Sequence, residues 1–224
     1  MAKSHLFFDM DGTLTLSRQH ISFEMLDFLN DIEEDIIVVS GANIDRMKEQ
    51  LCTLDCVIMS QSGSVCDLWE YKLTDEEEKE IMTHIWKVKD DPDFKPLVPD
   101  DIIHNRGAQI SLSFLGHTAP TNDKDTYDPN GKLRREFLRH YPFESSTLEV
   151  HVAGTTCVDY TNKNYTKGKN IARYIEKMGW DPRECIYFGD ALYENGNDAT
   201  VKGVIDTIPV TDPYDLLESL KRLI

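Results

Sequence analysis

The chain has 224 residues, a formal net charge of −16 and a pI near 4.7, with 40% hydrophobic and 29% charged residues. That length suffices for one large domain or two small ones with a buried core. Bulk charge of this sign argues against nucleic acid or an anionic membrane as a partner, so an anionic substrate would need a local cation or a metal. The residues Met1–His5 hold no apolar run of signal-peptide type, and no stretch approaches the ~20 apolar residues of a membrane span. Cys52, Cys56, Cys66, Cys157 and Cys185 are scattered without zinc-site spacing, which suits reduced thiols and a cytoplasmic location.

The elements are taken in chain order. His5-Leu6-Phe7-Phe8 is a short apolar run that stops at Asp9, as expected of a strand buried on both faces of a parallel sheet. Phe23, Leu26 and Leu29 fall at helical spacing. Asp35–Gly41 reads as a second buried strand, Ile44, Met47 and Leu51 as a helix, and Cys56–Ser60 as a third strand. Thr74-Asp75-Glu76-Glu77 has capping-box form and opens a helix to about Lys89. Asp90–Asp101 is a loop rich in Asp and Pro. Ala108–Phe114 and Thr147–Val152 alternate apolar and polar residues and predict half-exposed antiparallel strands. Asp128-Pro129 starts a further helix that ends near Tyr141-Pro142. Lys167–Met178 is a helix, Cys185–Phe188 and Val204–Ile208 are strands, and Asp212-Pro213 caps a last helix to Leu223. The expectation is a doubly wound α/β core, residues 1–73 and 163–224, split by an inserted α+β cap, residues 74–162.

Chemistry concentrates where buried strands end, since open parallel sheets bind ligands at the carboxyl ends of their strands. Asp9-Met10-Asp11-Gly12-Thr13-Leu14-Thr15 follows the first strand. Two carboxylates at that spacing are costly unless a cation pairs them. Ser40, with Gly41 beside it, ends the second strand. Lys167 and Lys169 both stand near the start of a helix, and either ammonium could neutralise Asp9. Gly189-Asp190 follows the strand at Cys185–Phe188, with Asn197-Asp198 downstream.

This ordered set resembles the four motifs of the haloacid dehalogenase superfamily with a type IIB cap. The resemblance implies Asp9 as nucleophile, Asp11 as general acid and base, Ser40 and Lys167 as phosphoryl contacts, and Mg²⁺ as cofactor. Asp9, the backbone carbonyl of Asp11 and Asp190 would be the metal ligands, with Asn197 and Asp198 behind them. Within the superfamily the chain looks most like the eukaryotic-type phosphomannomutases, through Phe8–Thr15, Arg18-Gln19, Met47–Leu51 and Phe188–Asp198. That likeness implies phosphate or sugar contacts at Arg18, Gly41, Arg106, His117, Lys124, Cys157 and Asp159. It departs where the family has arginine at the positions of His117 and Lys124, and serine at Cys157. Arginine grips phosphate bidentately, whereas lysine is a point charge and histidine is mostly neutral near pH 7. A weakened distal clamp favours hydrolysis of a small phosphate monoester, a sugar phosphate, over interconversion of mannose 1-phosphate and mannose 6-phosphate. A catalytically silent sugar-phosphate-binding protein is a third reading. The cap is the candidate surface for a homodimer.

Overall fold

The computed structural model describes residues 3–194 and 196–224. The chain divides into two compact units, Met1–Glu70 with Tyr165–Ile224, and Tyr71–Asn164.

In the first unit, β1 (His5–Phe8), α1 (Phe23–Asp31), β2 (Asp35–Val39), α2 (Ile44–Leu51) and β3 (Val57–Met59) precede the cap in sequence. The second unit runs through α3 (Asp75–Lys89), β4 (Ile103–Asn105), β5 (Gln109–Ser113), α4 (Thr121–Tyr127), α5 (Lys132–His140), β6 (Leu148–Ala153) and β7 (Cys157–Asn162). The chain then returns to the first unit with α6 (Lys167–Met178), β8 (Cys185–Gly189), β9 (Asp206–Pro209) and α7 (Pro213–Leu223).

The core sheet is parallel with order β3-β2-β1-β8-β9. Its strands are apolar at successive positions because both faces are covered. Leu6, Phe8, Val38, Ile186 and Phe188 face α1, α2 and α7 through Met25, Leu29, Met47, Leu51, Leu216 and Leu220. Phe7, Ile37, Val39 and Tyr187 face α6 through Ile171, Tyr174 and Ile175. The strand order places β1 between β2 and β8. Phe8 is in register with Val38 on one side and Phe188 on the other. The residues that follow, Asp9, Ser40 and Asp190, are thereby brought to one edge of the sheet.

The cap sheet is antiparallel with order β4-β5-β7-β6, and α3 and α5 pack on one face through Ile81, Ile85, Val88, Phe137, Ile110, Leu112 and Tyr160. The capping box at Thr74 and Glu77 closes both reciprocal bonds. Three expectations change. The strand β5 is buried along its whole length, not half-exposed. Its polar residues Gln109, Ser111 and Ser113 are as inaccessible as its apolar ones, whereas the other inner strand, β7, alternates buried and half-buried positions. The helix expected from Asp128 begins at Lys132, since Gly131 in the left-handed conformation interposes a turn. Asp128 still caps it, accepting from the Leu133 and Arg134 amides. The loop at Asp90–Asp101 ends in a 3₁₀ turn at Pro99–Asp101, and β4 and α4 carry no periodic signal long enough to find. Among the described residues, no helix is long and apolar enough to cross a membrane.

Candidate active site

The geometry of the core unit starts from Asp9. It is the first residue past β1, its amide donates to the Phe188 carbonyl at 2.9 Å, and it is only 3% exposed. Lys167, at the first position of α6, is equally buried. Its Nζ lies 2.7 Å from Asp9 Oδ1 and 2.6 Å from Asp198 Oδ1. The ammonium at this site is therefore Lys167, while Lys169 is exposed. Thr166 caps α6 by accepting from the Lys169 amide, which fixes the first turn and hence the direction of Lys167. Burial pushes the Asp9 carboxyl upward against the pull of Lys167, and the Asp198 charge pushes it further. Lys167 is held protonated: burial opposes its charge, but Asp9 and Asp198 together outweigh it and raise its pKa.

Asp190 follows β8, and its carboxylate sits against the turn after Asp9. Gly12 has φ +89, and a Cβ there would lie 2.6 Å from Asp190 Oδ2, so this turn tolerates no side chain. Carboxylate oxygens of Asp9, Asp190 and Asp198 lie within 4.8 Å of one another. Partial desolvation, with Asp198 next, raises the Asp190 carboxyl. Clustered carboxyls, two of them (Asp9 and Asp190) with raised proton affinity, are a donor set suited to a hard cation, and all-oxygen ligands match Mg²⁺. The three are not equivalent. Asp198 Oδ1 accepts from Lys167 and from the Tyr187 hydroxyl, and its Oδ2 accepts from the Ala191 amide at 3.3 Å. Asp9 and Asp190 are left as the carboxylates that fit a metal, with Asp198 orienting the lysine. Asn197 is exposed.

Asp11 is held by groups other than Lys167. Its carboxylate accepts from the Arg18 amide at 2.7 Å, from Gln50 Nε2 at 3.2 Å and from Arg46 Nη2 at 3.2 Å. Arg18 meets it with its backbone, in a positive-φ conformation, and its own side chain is exposed. Ser40 is buried, with its hydroxyl oxygen accepting from the Ala42 amide at 3.2 Å, and Gly41 follows it. Sequence reasoning passed over Arg46, Gln50 and Tyr187. Arg46 and Gln50 lie four apart on one face of α2, a spacing visible in the sequence, but nothing there aims that face at Asp11. Tyr187 reads as one more core aromatic.

The cap, taken by itself, groups Arg106, His117 and Lys124. Arg106 lies in the β4–β5 turn, where its amide donates to the Gln109 carbonyl. His117 stacks on His104 with ring centroids 3.6 Å apart. Burial, with His104 and Arg106 nearby, pushes the His117 imidazole down to about 4, so it is neutral at pH 7. Lys124 is 8% exposed and its ammonium donates to the His117 carbonyl. Asp159 pairs with Ser111 across β5 and β7, and the two buried oxygens Asp159 Oδ1 and Ser111 Oγ lack hydrogen-bond partners within the protein. The Cys157 thiol touches the Thr156 hydroxyl, and its carbonyl accepts from Arg134.

No family model matches the chain. A phosphomannomutase of Triticum aestivum is 26% identical over 96% of this chain and 93% of its own length. Two solved structures share the fold. An IMP-nucleotidase of Plasmodium falciparum superposes with a TM-score of 0.70 at 15% identity, over 99% of this chain and 68% of that one. A subclass IIB sugar phosphatase of the haloacid dehalogenase superfamily superposes with a TM-score of 0.63 at 17% identity, over 99% and 100%.

Proposed function

We propose that this chain, an enzyme of the haloacid dehalogenase superfamily with a resemblance to the phosphomannomutases, hydrolyses a small phosphate monoester, a sugar phosphate, through an aspartyl-phosphate on Asp9. The observation that carries the reading is the buried Asp9 carboxylate at the end of the central strand, held by Lys167 and flanked by Asp190. Asp9, the Asp11 carbonyl and Asp190 would hold Mg²⁺, which when bound supplies positive charge for the phosphoryl oxygens and the incoming carboxylate.

The protein's own groups then divide the work. An oxygen of Asp9 attacks phosphorus, the bond from phosphorus to the sugar oxygen breaks, and protonated Asp11 delivers its proton to that oxygen. Asp11, now ionised beside Arg46 and Gln50, takes a proton from water as the water oxygen attacks phosphorus. The bond to Asp9 breaks, and inorganic phosphate leaves. Lys167 neutralises Asp9 at rest and the phosphoryl charge as it develops; opposite charges 4 Å apart attract by roughly 4 kcal/mol at an effective dielectric near 20. The Ser40 hydroxyl and Arg18 are assigned to phosphoryl oxygens, with Gly41 beside them.

Hydrolysis is preferred to phosphomannomutase activity because His117 is neutral and Lys124 is engaged by a carbonyl, which leaves Arg106 as the guanidinium of the distal clamp. Arg106, His117, Lys124, Cys157 and Asp159 are the substrate-facing candidates of the cap. The mutase reading keeps one observation in its favour, the similarity along nearly the whole chain to phosphomannomutases. A silent binding protein would not need the complete set of Asp9, Asp11, Lys167 and Asp190. The test is a screen of hexose monophosphates with Mg²⁺, with and without a hexose bisphosphate, that reads free phosphate and isomerised sugar phosphate together. Phosphate release is expected to dominate. Many isomerisations for each phosphate released would favour the mutase, and absence of both products would favour the binding protein.

A further inference from the structure

The Lys167 ammonium has three protons, and the structure accounts for all of them. Two go to Asp9 Oδ1 and Asp198 Oδ1. The third neighbour is the hydroxyl of Tyr187, 3.1 Å from Nζ. That hydroxyl in turn donates to Asp198 Oδ1 at 2.7 Å. Lysine, aspartate and tyrosine thus close a three-membered ring of hydrogen bonds in which each group touches the other two.

Tyr187 has no exposure, and it reaches this position for reasons set in β8. Strand alternation turns Tyr187, between Ile186 and Phe188, toward the α6 side of the sheet. Gly189 clears the space: a Cβ there would lie 2.7 Å from Tyr187 Cε1 and 2.3 Å from Asp198 Oδ2. The aromatic ring packs in the core beside Phe7, Ile171 and Leu192, and only the hydroxyl enters the polar site. Phenylalanine would fill the same core volume, so packing does not call for the oxygen.

We infer that Tyr187 is a positioning residue for the proposed phosphoryl transfer: its hydroxyl locks Asp198 and Lys167 so that the ammonium stays aimed at Asp9 and at the phosphoryl group it receives. The inference rests on the proposed aspartyl-phosphate reading. A lysine side chain has four rotatable bonds, and a single carboxylate would leave its ammonium free to pivot. Two carboxylates and a hydroxyl define a point. Chemistry depends on that point more than substrate affinity does, because Lys167 counters charge that develops during transfer.

The test is Tyr187→Phe, which deletes one oxygen, compared with Tyr174→Phe. The latter removes another core hydroxyl of the same sheet face, 3.4 Å from Asp67 and outside the site. Two readouts are taken on the full chain. With a turned-over phosphate monoester and Mg²⁺, Tyr187→Phe is expected to lower kcat roughly tenfold with KM within about twofold, as for loss of one hydrogen bond to a charged group. In protein carrying ¹⁵N-lysine, the Lys167 ammonium, assigned by its loss in Lys167→Arg, is expected to exchange its protons with water several-fold faster in Tyr187→Phe. Tyr174→Phe should leave both unchanged. Wild-type kcat together with wild-type proton exchange in Tyr187→Phe would overturn the inference, as would equal effects of the two tyrosine variants. A wild-type protein that turns over no phosphate monoester would refute the proposed function instead, while the exchange measurement still decides whether Tyr187 fixes Lys167.

Discussion

Replacing Lys167 with methionine keeps most of the side-chain volume and removes the one cation that lies between two buried carboxylates. At 2.7 Å and 2.6 Å from Asp9 and Asp198, each attraction is worth about 6 kcal/mol at an effective dielectric near 20. Desolvation offsets most of that sum, and removal of one partner from a buried ionic group costs about 3–5 kcal/mol net. The sign of the pH dependence follows from the remaining groups. Without Lys167, the Asp9 carboxyl, which burial already pushes up, rises further above the unfolded value of about 4. The variant therefore folds best where Asp9 is protonated, and loses stability as pH rises through its folded value. In the wild type the Asp9 carboxyl, raised to about 7, also costs stability as pH rises toward that value, while the raised pKa of Lys167 keeps the lysine's contribution until pH rises through its folded value. Calorimetry between about pH 5 and pH 9 should thus show Tm falling for the wild type up to about pH 7, where Asp9 titrates, and falling more steeply and to higher pH for Lys167→Met. Activity should drop by roughly 10²–10³-fold, as for loss of one preorganised charge at the reacting centre. A variant within about 1 kcal/mol of the wild type at pH 8, with a parallel pH profile, would refute the account of the buried charge cluster.

Three further outcomes follow. Asp190→Asn should weaken Mg²⁺ binding at least about tenfold by isothermal titration while the apo protein folds normally; unchanged affinity would remove Asp190 from the metal site. Arg134 is fully buried, pairs with Asp128 at 3.0 Å and donates to the carbonyls of Ala153, Gly154 and Cys157. Arg134→Met should therefore destabilise the cap by about 3–5 kcal/mol, seen as faster amide exchange confined to Tyr71–Asn164; uniform protection would contradict it. Restoring the clamp with His117→Arg and Lys124→Arg together should raise the ratio of isomerised sugar phosphate to free phosphate, and a ratio that stays fixed would separate those positions from substrate choice.

Much of the core was legible because its signals are local. Apolar runs that stop at Asp9, Ser40 and Asp190 mark strand ends in any parallel sheet, and the start of α7 follows from the cap at Asp212. The site is less legible where it depends on which face a residue takes. Tyr187 and Phe188 are adjacent aromatics in one strand, and only the pairing register sends one of them toward Lys167. Asp198, expected behind the metal, bonds the lysine directly, and its amide donates to the Ala191 carbonyl beside Asp190. In the cap, alternation in β5 suggested an exposed polar face. Gln109, Ser111 and Ser113 are buried nonetheless, which no local pattern encodes. Lys124 had the composition of a surface lysine, and only the fold shows its ammonium turned onto the His117 carbonyl.

The central claim is covalent chemistry at Asp9, and trapping the intermediate tests it most directly. Full-length protein with Mg²⁺ is mixed with a ³²P-labelled hexose monophosphate, quenched in acid within the first turnover, digested and read by mass spectrometry. The account predicts acid-stable, alkali-labile label on Asp9, its absence from Asp9→Asn, and reduction of the labelled residue to homoserine by borohydride. Multiple turnovers with no label on Asp9 at any quench time, or undiminished turnover by Asp9→Asn, would contradict it.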